Sequence, residues 1–146
     1  KGLKVDVFIL AGRSAIKLSE PLINLSILEK TGVRIKEITG DAQFKRIEKN
    51  FRYDFIVDAI FGIGFRGVLS EPIARLVGFL NSTKRPIYAL DVPSGLDATT
   101  GRVEGPCVIA RKTITFGLLK TGLVKKGAKR YTGKVLVKDI GLPIVA

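Results

Sequence analysis

Between Asp54 and Ile60 the chain reads DFIVDAI, a run with almost no polar relief. A strand with one solvated face alternates apolar and polar residues, whereas a run apolar at both parities suits a strand covered on both faces, as in a parallel sheet packed between helices. The surrounding sequence has the alternation such a sheet needs. LKVDVFILA (Leu3 to Ala11) reads as a buried strand. SEPLINLSILEKTG reads as a helix with Ser19 as N-cap, Glu20 and Pro21 in its first turn and Gly32 just past its end, its core stripe formed by Leu22, Leu25, Ile27 and Leu28. VRIKEI (Val33 to Ile38) alternates as a strand, and DAQFKRIEKN from Asp41 is a short basic helix. After DFIVDAI, SEPIARLVGFLNSTKRP repeats the helix grammar, with Ser70 as N-cap and Glu71 and Pro72 in the first turn. IYALDVPSG is a strand from Ile87 that runs into a Pro-Ser-Gly turn, and KTITFG and GKVLVKDIG are two further strand candidates with little helix between them. The expected fold is α/β, a mostly parallel sheet with DFIVDAI as a central strand and a modified far edge. With no internal repeat or linker, one domain covers the chain.

Composition limits the chemistry. A chain of 146 residues, 46% hydrophobic, buries roughly 68–70% of the surface it exposes unfolded. It has no histidine and a single cysteine, Cys107. Zinc and haem sites, Ser-His-Asp triads and Cys-His pairs are thereby set aside, and proton transfer falls to Asp, Glu, Lys, Tyr or bound water. The formal charge of +12 comes from scattered basic residues without the interleaved aromatics of a single-strand binding surface, so nucleic acid is not the expected partner. No apolar run reaches the roughly 18 residues of a membrane span and no signal pattern opens the chain, so a cytoplasmic protein is expected. Lys1 is not an initiator and no Met occurs anywhere, which points to a processed or truncated piece.

Gly62, Gly64 and Gly67 in DAIFGIGFRG have the G-x-G-x-x-G spacing of a dinucleotide loop. The context departs from that fingerprint, because Asp58 sits inside the strand shortly before Gly62 and the next helix starts beyond Gly67 instead of within the motif. A second loop, LDVPSGLD, follows the next strand. In an open parallel sheet ligands sit beyond the carboxyl ends of the strands, and there Asp58, Asp91 and Ser94 would converge on one rim. Taken singly, Asp91 could cap its own turn and Ser94 could be a turn hydroxyl; taken together they favour a site.

In that order and at those separations, DFIVDAIFGIGFRG, RPIYALDVPSGLDATTG, TITFG and GKVLVKDIGLP resemble the YjeF N-terminal domain, the NAD(P)H-hydrate epimerase family. The resemblance is strong over Asp54 to Pro143 and only in pattern over Lys4 to Ile38. It implies a Rossmann-like three-layer α/β/α sandwich acting in metabolite repair. The implied activity interconverts the R and S epimers of NADH or NADPH hydrated on the nicotinamide ring, so that a partner dehydratase, fused or separate, can restore the cofactor. Carried over by motif, Asp58 and Ser94 would be potassium ligands, Gly62, Ile63, Gly64, Phe65, Arg66, Gly67 and Val68 the substrate loop, and Asp91 a substrate contact. Asp91 is also the group expected to move the proton. The ion, the loop amides and Arg66 would offset the ligand's phosphates. The resemblance also implies a homodimer.

Two departures stand out. The family's Asn-Asn-Gly-Gly-Asp-Gly loop, with its potassium ligand and phosphate contacts, has no counterpart here, and in the family order the missing first strand would lie beside both LKVDVFILA and DFIVDAI. Two unpaired strand edges would follow, and a longer N-terminus or a segment from another chain is expected to cover them. Ile63 stands where threonine is usual, which would remove a hydrogen bond worth roughly 0.5–1.5 kcal/mol. GLPIVA reads as the start of a linker. The alternative reading is a non-catalytic YjeF-like binding module, an RNA or protein scaffold, whose affinity for RNA would fall steeply with salt; another is an inert fragment whose site residues are unassembled.

Overall fold

A computed structural model of the chain describes residues 2–10, 12–17 and 19–141. Ala11, at the end of the first expected strand, and residues 142–146 of GLPIVA lie outside them. The chain divides into two compact units, Lys1–Phe51 and Arg52–Ala146.

In the first unit, β1 (Asp6–Ile9) pairs in parallel with β2 (Arg34–Glu37), Asp6 opposite Arg34 and Ile9 opposite Glu37. The connection is α1 (Ser19–Lys30), and Gly32 at φ 73° turns the chain out of it. Two parts of the sequence reading of α1 are corrected. Ser19 Oγ donates to Glu20 Oε2 (3.1 Å) and caps no backbone amide among the described bonds. Of the expected stripe Leu25 is buried and Leu28 half-buried, while Leu22 and Ile27 are exposed. Leu25 and Ile27 are two residues apart, so a helix turns them to different faces, and one stripe cannot hold both. β1 is half-buried along its length, less covered than expected. α2 (Asp41–Lys49) buries Phe44 and exposes Asp41, Lys45, Arg46 and Lys49.

The second unit holds a four-stranded parallel sheet in the order β3-β4-β5-β6, built from Ile56–Asp58, Ile87–Leu90, Lys112–Phe116 and Lys134–Lys138. The run expected to be a central strand is therefore short and lies at an end of its sheet. Among the described residues no strand pairs with its outer side, and Val57 is exposed. Between β3 and β4 runs α3 (Ile73–Ser82). It starts later than expected: Ser70 is not the N-cap, but its carbonyl accepts from the amides of Ile73 and Ala74, and the helix follows the turn at Glu71 and Pro72. β5 and β6 are joined by two short 3-10 turns, Thr121–Val124 and Lys126–Ala128, and by α4 (Lys129–Thr132).

Two apolar clusters hold this unit. Val77 of α3 packs with Leu69, Ile87, Ala89, Val108 and Ala110, and Asn81 at the helix end ties to the backbone of Cys107 (2.9 Å) and Ile109 (3.0 Å). The second cluster, Val92, Leu96, Ala98, Cys107, Leu123 and Ala128, fixes the segments that follow β4 and β5. The strands thus keep the Rossmann-like sense of a parallel α/β sheet, with the connecting loops gathered at their carboxyl ends.

Candidate functional site

Every candidate residue lies in the second unit, Asp58 at the end of β3 and the others on the segments that follow β3 and β4. Asp58 closes β3 opposite Ala89 and is 2% exposed; Ser94, in the turn after β4, is 1% exposed. The turn is tight at Gly95, where φ is 101° and an added Cβ would lie 2.4 Å from the Pro106 carbonyl, so only glycine fits. The Ser94 amide donates to Asp58 Oδ2 (2.8 Å) and the Ser94 hydroxyl to Oδ1 (2.7 Å). The Ile60 amide also donates to Oδ1 (3.3 Å), and the Phe61 amide to Ser94 Oγ (3.1 Å), which stitches the start of the glycine loop to the second loop. Burial raises the Asp58 carboxyl above its ordinary value, against the lowering effect of the bonds from Ser94 and Ile60.

The potassium ion implied by the family resemblance fits this pair. Asp58 is a buried carboxylate held only by neutral donors among its described bonds, with no cationic side chain to balance it. A buried charge without a counter-charge is expensive, and a hard cation takes carboxylate and hydroxyl oxygens. No cluster of three or more His, Cys, Asp or Glu occurs among the described residues, so Asp58 and Ser94 would be two donors of a shell completed by other oxygens.

Asp91 follows β4 directly. Its φ of 65° is unusual for a residue other than glycine, a conformation the surroundings must enforce. Those surroundings are specific. Its amide donates to the Ile114 carbonyl (2.7 Å), and its Oδ1 receives the Thr115 hydroxyl (3.0 Å), the Phe116 amide (3.4 Å) and the Lys120 ammonium (2.7 Å). Oδ2 takes none of these bonds and lies 3.5 Å from where a Cβ on Gly62 would stand. Partial burial raises the Asp91 carboxyl, but the hydrogen bond from Lys120, those from Phe116 and Thr115, and the Lys120 charge more than reverse it, so the group is held below its ordinary value. The result is an ionised carboxylate with one oxygen anchored and the other turned toward the glycine loop.

The loop residues divide by role. Gly62 leaves room beside Asp91, and Gly64 and Gly67 are open, Gly67 at φ 81°. Ile63 and Arg66 line an open cleft of about 300 Å³ with Ala98, Thr99, Lys120 and Thr121. Phe65 turns inward, its ring 5.2 Å from that of Phe61 and packed on the first apolar cluster, so it shapes the loop from below. Val68 is exposed and crosses Gly105, where an added Cβ would meet its Cγ1 at 2.7 Å. Arg66 donates to the Ile63 and Phe65 carbonyls (3.0 and 2.7 Å) and the Thr99 hydroxyl (3.2 Å), and pairs with Asp97 (3.2 Å). It thus locks the glycine loop to the loop after β4. Asp97 also accepts the Thr99 and Thr100 amides (2.8 Å each), and the Thr100 amide leads the contacts that lower its carboxyl.

The sequence reading missed Lys120, Thr115, Asp97, Thr99 and Thr121. A lysine in GLLKTGL resembles any solvated surface charge; its one local signal is its position just past a strand whose carboxyl end faces the site.

A family model described as YjeF-related protein N-terminus matches residues 1–122. The Bifunctional NAD(P)H-hydrate repair enzyme Nnr of Moorella thermoacetica is 40% identical over 144 residues, covering 98% of this chain and 27% of that protein. The NAD(P)H-hydrate epimerase of Cenarchaeum symbiosum is 36% identical over 143 residues, covering 98% of this chain and 64% of that protein. The crystal structure of yeast ynu0 superposes with a TM-score of 0.67 at 20% identity, over 93% of this chain and 54% of that one, which shows a shared fold. The chain spans 27% to 64% of the length of these two curated relatives.

Proposed function

We propose, from the premise that this chain belongs to the family of YjeF-related protein N-termini, that its site interconverts the R and S epimers of hydrated NADH and NADPH. The names of its relatives, NAD(P)H-hydrate epimerase and bifunctional NAD(P)H-hydrate repair enzyme, support the reading. The observation that carries it is the Asp91 carboxylate, anchored through Oδ1 and presenting Oδ2 to a glycine loop beside an open cleft.

The hydrated ring carbon bears a hydroxyl next to the ring nitrogen. In epimerisation its C–O bond breaks as the nitrogen lone pair forms a C=N bond, and water re-adds to the other face. The departing hydroxyl takes up a proton and the incoming water gives one up, so one carboxyl group passing between acid and base serves both halves. A positioned carboxylate contributes on the order of 10²–10⁴-fold to such a step. Glycine at position 62 lets the substrate ring approach Oδ2, and Ile63 gives that approach an apolar wall. Asp58 and Ser94 would hold a potassium ion, whose positive charge would offset the ligand's anionic oxygens. The epimer so formed, still hydrated, passes to an ATP- or ADP-dependent dehydratase that restores the cofactor.

The test follows R and S hydrated NADH by chiral chromatography in potassium buffer. The chain is expected to interconvert them, and Asp91→Asn to lose on the order of 10²–10⁴-fold. An Asp91→Asn variant as fast as the wild type refutes the role of Asp91, and a wild-type chain that interconverts neither epimer refutes the activity. Exchanging potassium for a bulky organic cation is expected to lower the melting temperature of the wild type and leave that of Asp58→Asn unmoved, because an ion that binds only the folded state stabilises it in proportion to its occupancy.

A further inference from the structure

The Asp91 carboxylate needs more than its own backbone to present one chosen oxygen. Its three anchors differ in kind: Thr115 and Phe116 offer neutral donors, and Lys120 alone brings charge. Lys120 is itself held. Its ammonium is 2.7 Å from Asp91 Oδ1 and donates to the Phe116 carbonyl at 2.7 Å, and its side chain is 19% exposed. Its backbone enters the 3-10 turn Thr121–Val124, which is pinned where the Thr121 hydroxyl donates to the Thr99 carbonyl (3.0 Å) and the Gly122 amide to the Ala98 carbonyl (2.8 Å). Two of the three ammonium protons are thereby committed, and Lys120 also lines the cleft.

We propose that Lys120 is the positioning residue of this site: it clamps Oδ1 of Asp91 between β5 and the turn that follows, so that Oδ2 is the atom that meets the substrate. The inference rests on the epimerase reading above. A flexible lysine on the surface would give a contact worth little; this one is short, mostly buried and fixed at both the ammonium and the backbone, and it adds charge to a carboxylate that β5 otherwise holds only by neutral bonds.

The test compares the wild type with Lys120→Met and Lys120→Arg in the epimer assay, with thermal melts alongside. Lys120→Met, close in length and without charge, is expected to lower kcat by about 10–10²-fold, part of the contribution of a positioned carboxylate, with KM little changed. Lys120→Arg keeps a cation within reach of Oδ1 and is expected to recover most of the kcat. A Lys120→Met variant with undiminished kcat overturns the inference while leaving the epimerase reading intact, and so does one that raises KM alone, the mark of a substrate anchor. Should Lys120→Met fail to fold, Lys120→Arg decides, and a folded Lys120→Arg variant as slow as Asp91→Asn overturns the proposal. A wild-type chain without interconversion overturns the epimerase reading and the inference together.

Discussion

Asp91 stands two residues beyond Ala89, the partner of Asp58 on the neighbouring strand, and the two aspartates have opposite electrostatic situations. Asp58 is almost fully enclosed and its carboxyl is raised, burial outweighing its bonds; Asp91 is partly exposed beside Gly62 and its carboxyl is lowered, its donors and Lys120 outweighing burial. The division leaves Asp58 a buried charge for a cation to balance and keeps Asp91 ionised near neutral pH, able to accept a proton. Asp91 makes a testable demand on pH dependence. Its folded value lies below the ordinary 3.8, so between the two values the native state binds fewer protons than the unfolded chain. Its stabilisation is complete above the unfolded value and is lost as pH falls through the folded one. On acidification from about pH 6 to about pH 3, the urea midpoint of the wild type is expected to fall further than that of Asp91→Asn, which has nothing to titrate there. Equal falls would show that Asp91 gains nothing from its anchors.

At the scale of elements, the site depends on two loops wedged together. Gly122 has its amide on the Ala98 carbonyl, and a Cβ there would lie 2.5 Å from both the Asp97 and Ala98 carbonyls. Those are backbone atoms flanked by Leu96 and Ala98 of a buried cluster, so they cannot yield cheaply. Gly122→Ala is expected to cost roughly 1–3 kcal/mol, read as a lower urea midpoint at unchanged slope. An unchanged midpoint would mean that the wedge is slack. Much of this level is legible in the sequence: the alternation of strands and helices follows from periodicity, and Asp58 and Ser94 meet through hydrogen bonds while Asp91 follows the end of β4 on the same side, because parallel strands put their following loops on one side. The errors have physical sources. Ser70 carries a capping residue's side chain, but the turn at Glu71 and Pro72 moves the helix start past it. The apolar residues of α1 spread over more than one face, so counting them overstates the stripe. Lys120 stays hidden because its meaning comes from a partner 29 positions earlier, brought near only when β4 and β5 pair.

The apolar interior is shared unequally between the two units. In Lys1–Phe51 the buried apolar side chains among the described residues are Leu25, Ile38 and Phe44, and β2 is largely exposed. In Arg52–Ala146, β4 and β5 have strands on both sides, and Ile87, Ala89, Thr113 and Thr115 are at most 2% exposed. Local opening costs least where few apolar contacts must separate, so the amides of β1 and β2 are expected to exchange with deuterated water faster than those of β4 and β5, by tenfold for each 1.4 kcal/mol of difference. The candidate site sits wholly on the better-buried unit, at loops tied to those two central strands, and its anchors should share their protection: the amides of Asp91 and Phe116, bonded to Ile114 and to Asp91 Oδ1, should exchange with the slow class. If instead they exchange as fast as β1 and β2, the carboxylate is not held still enough in the free chain to have one oxygen chosen for it, and its orientation must come from the ligand.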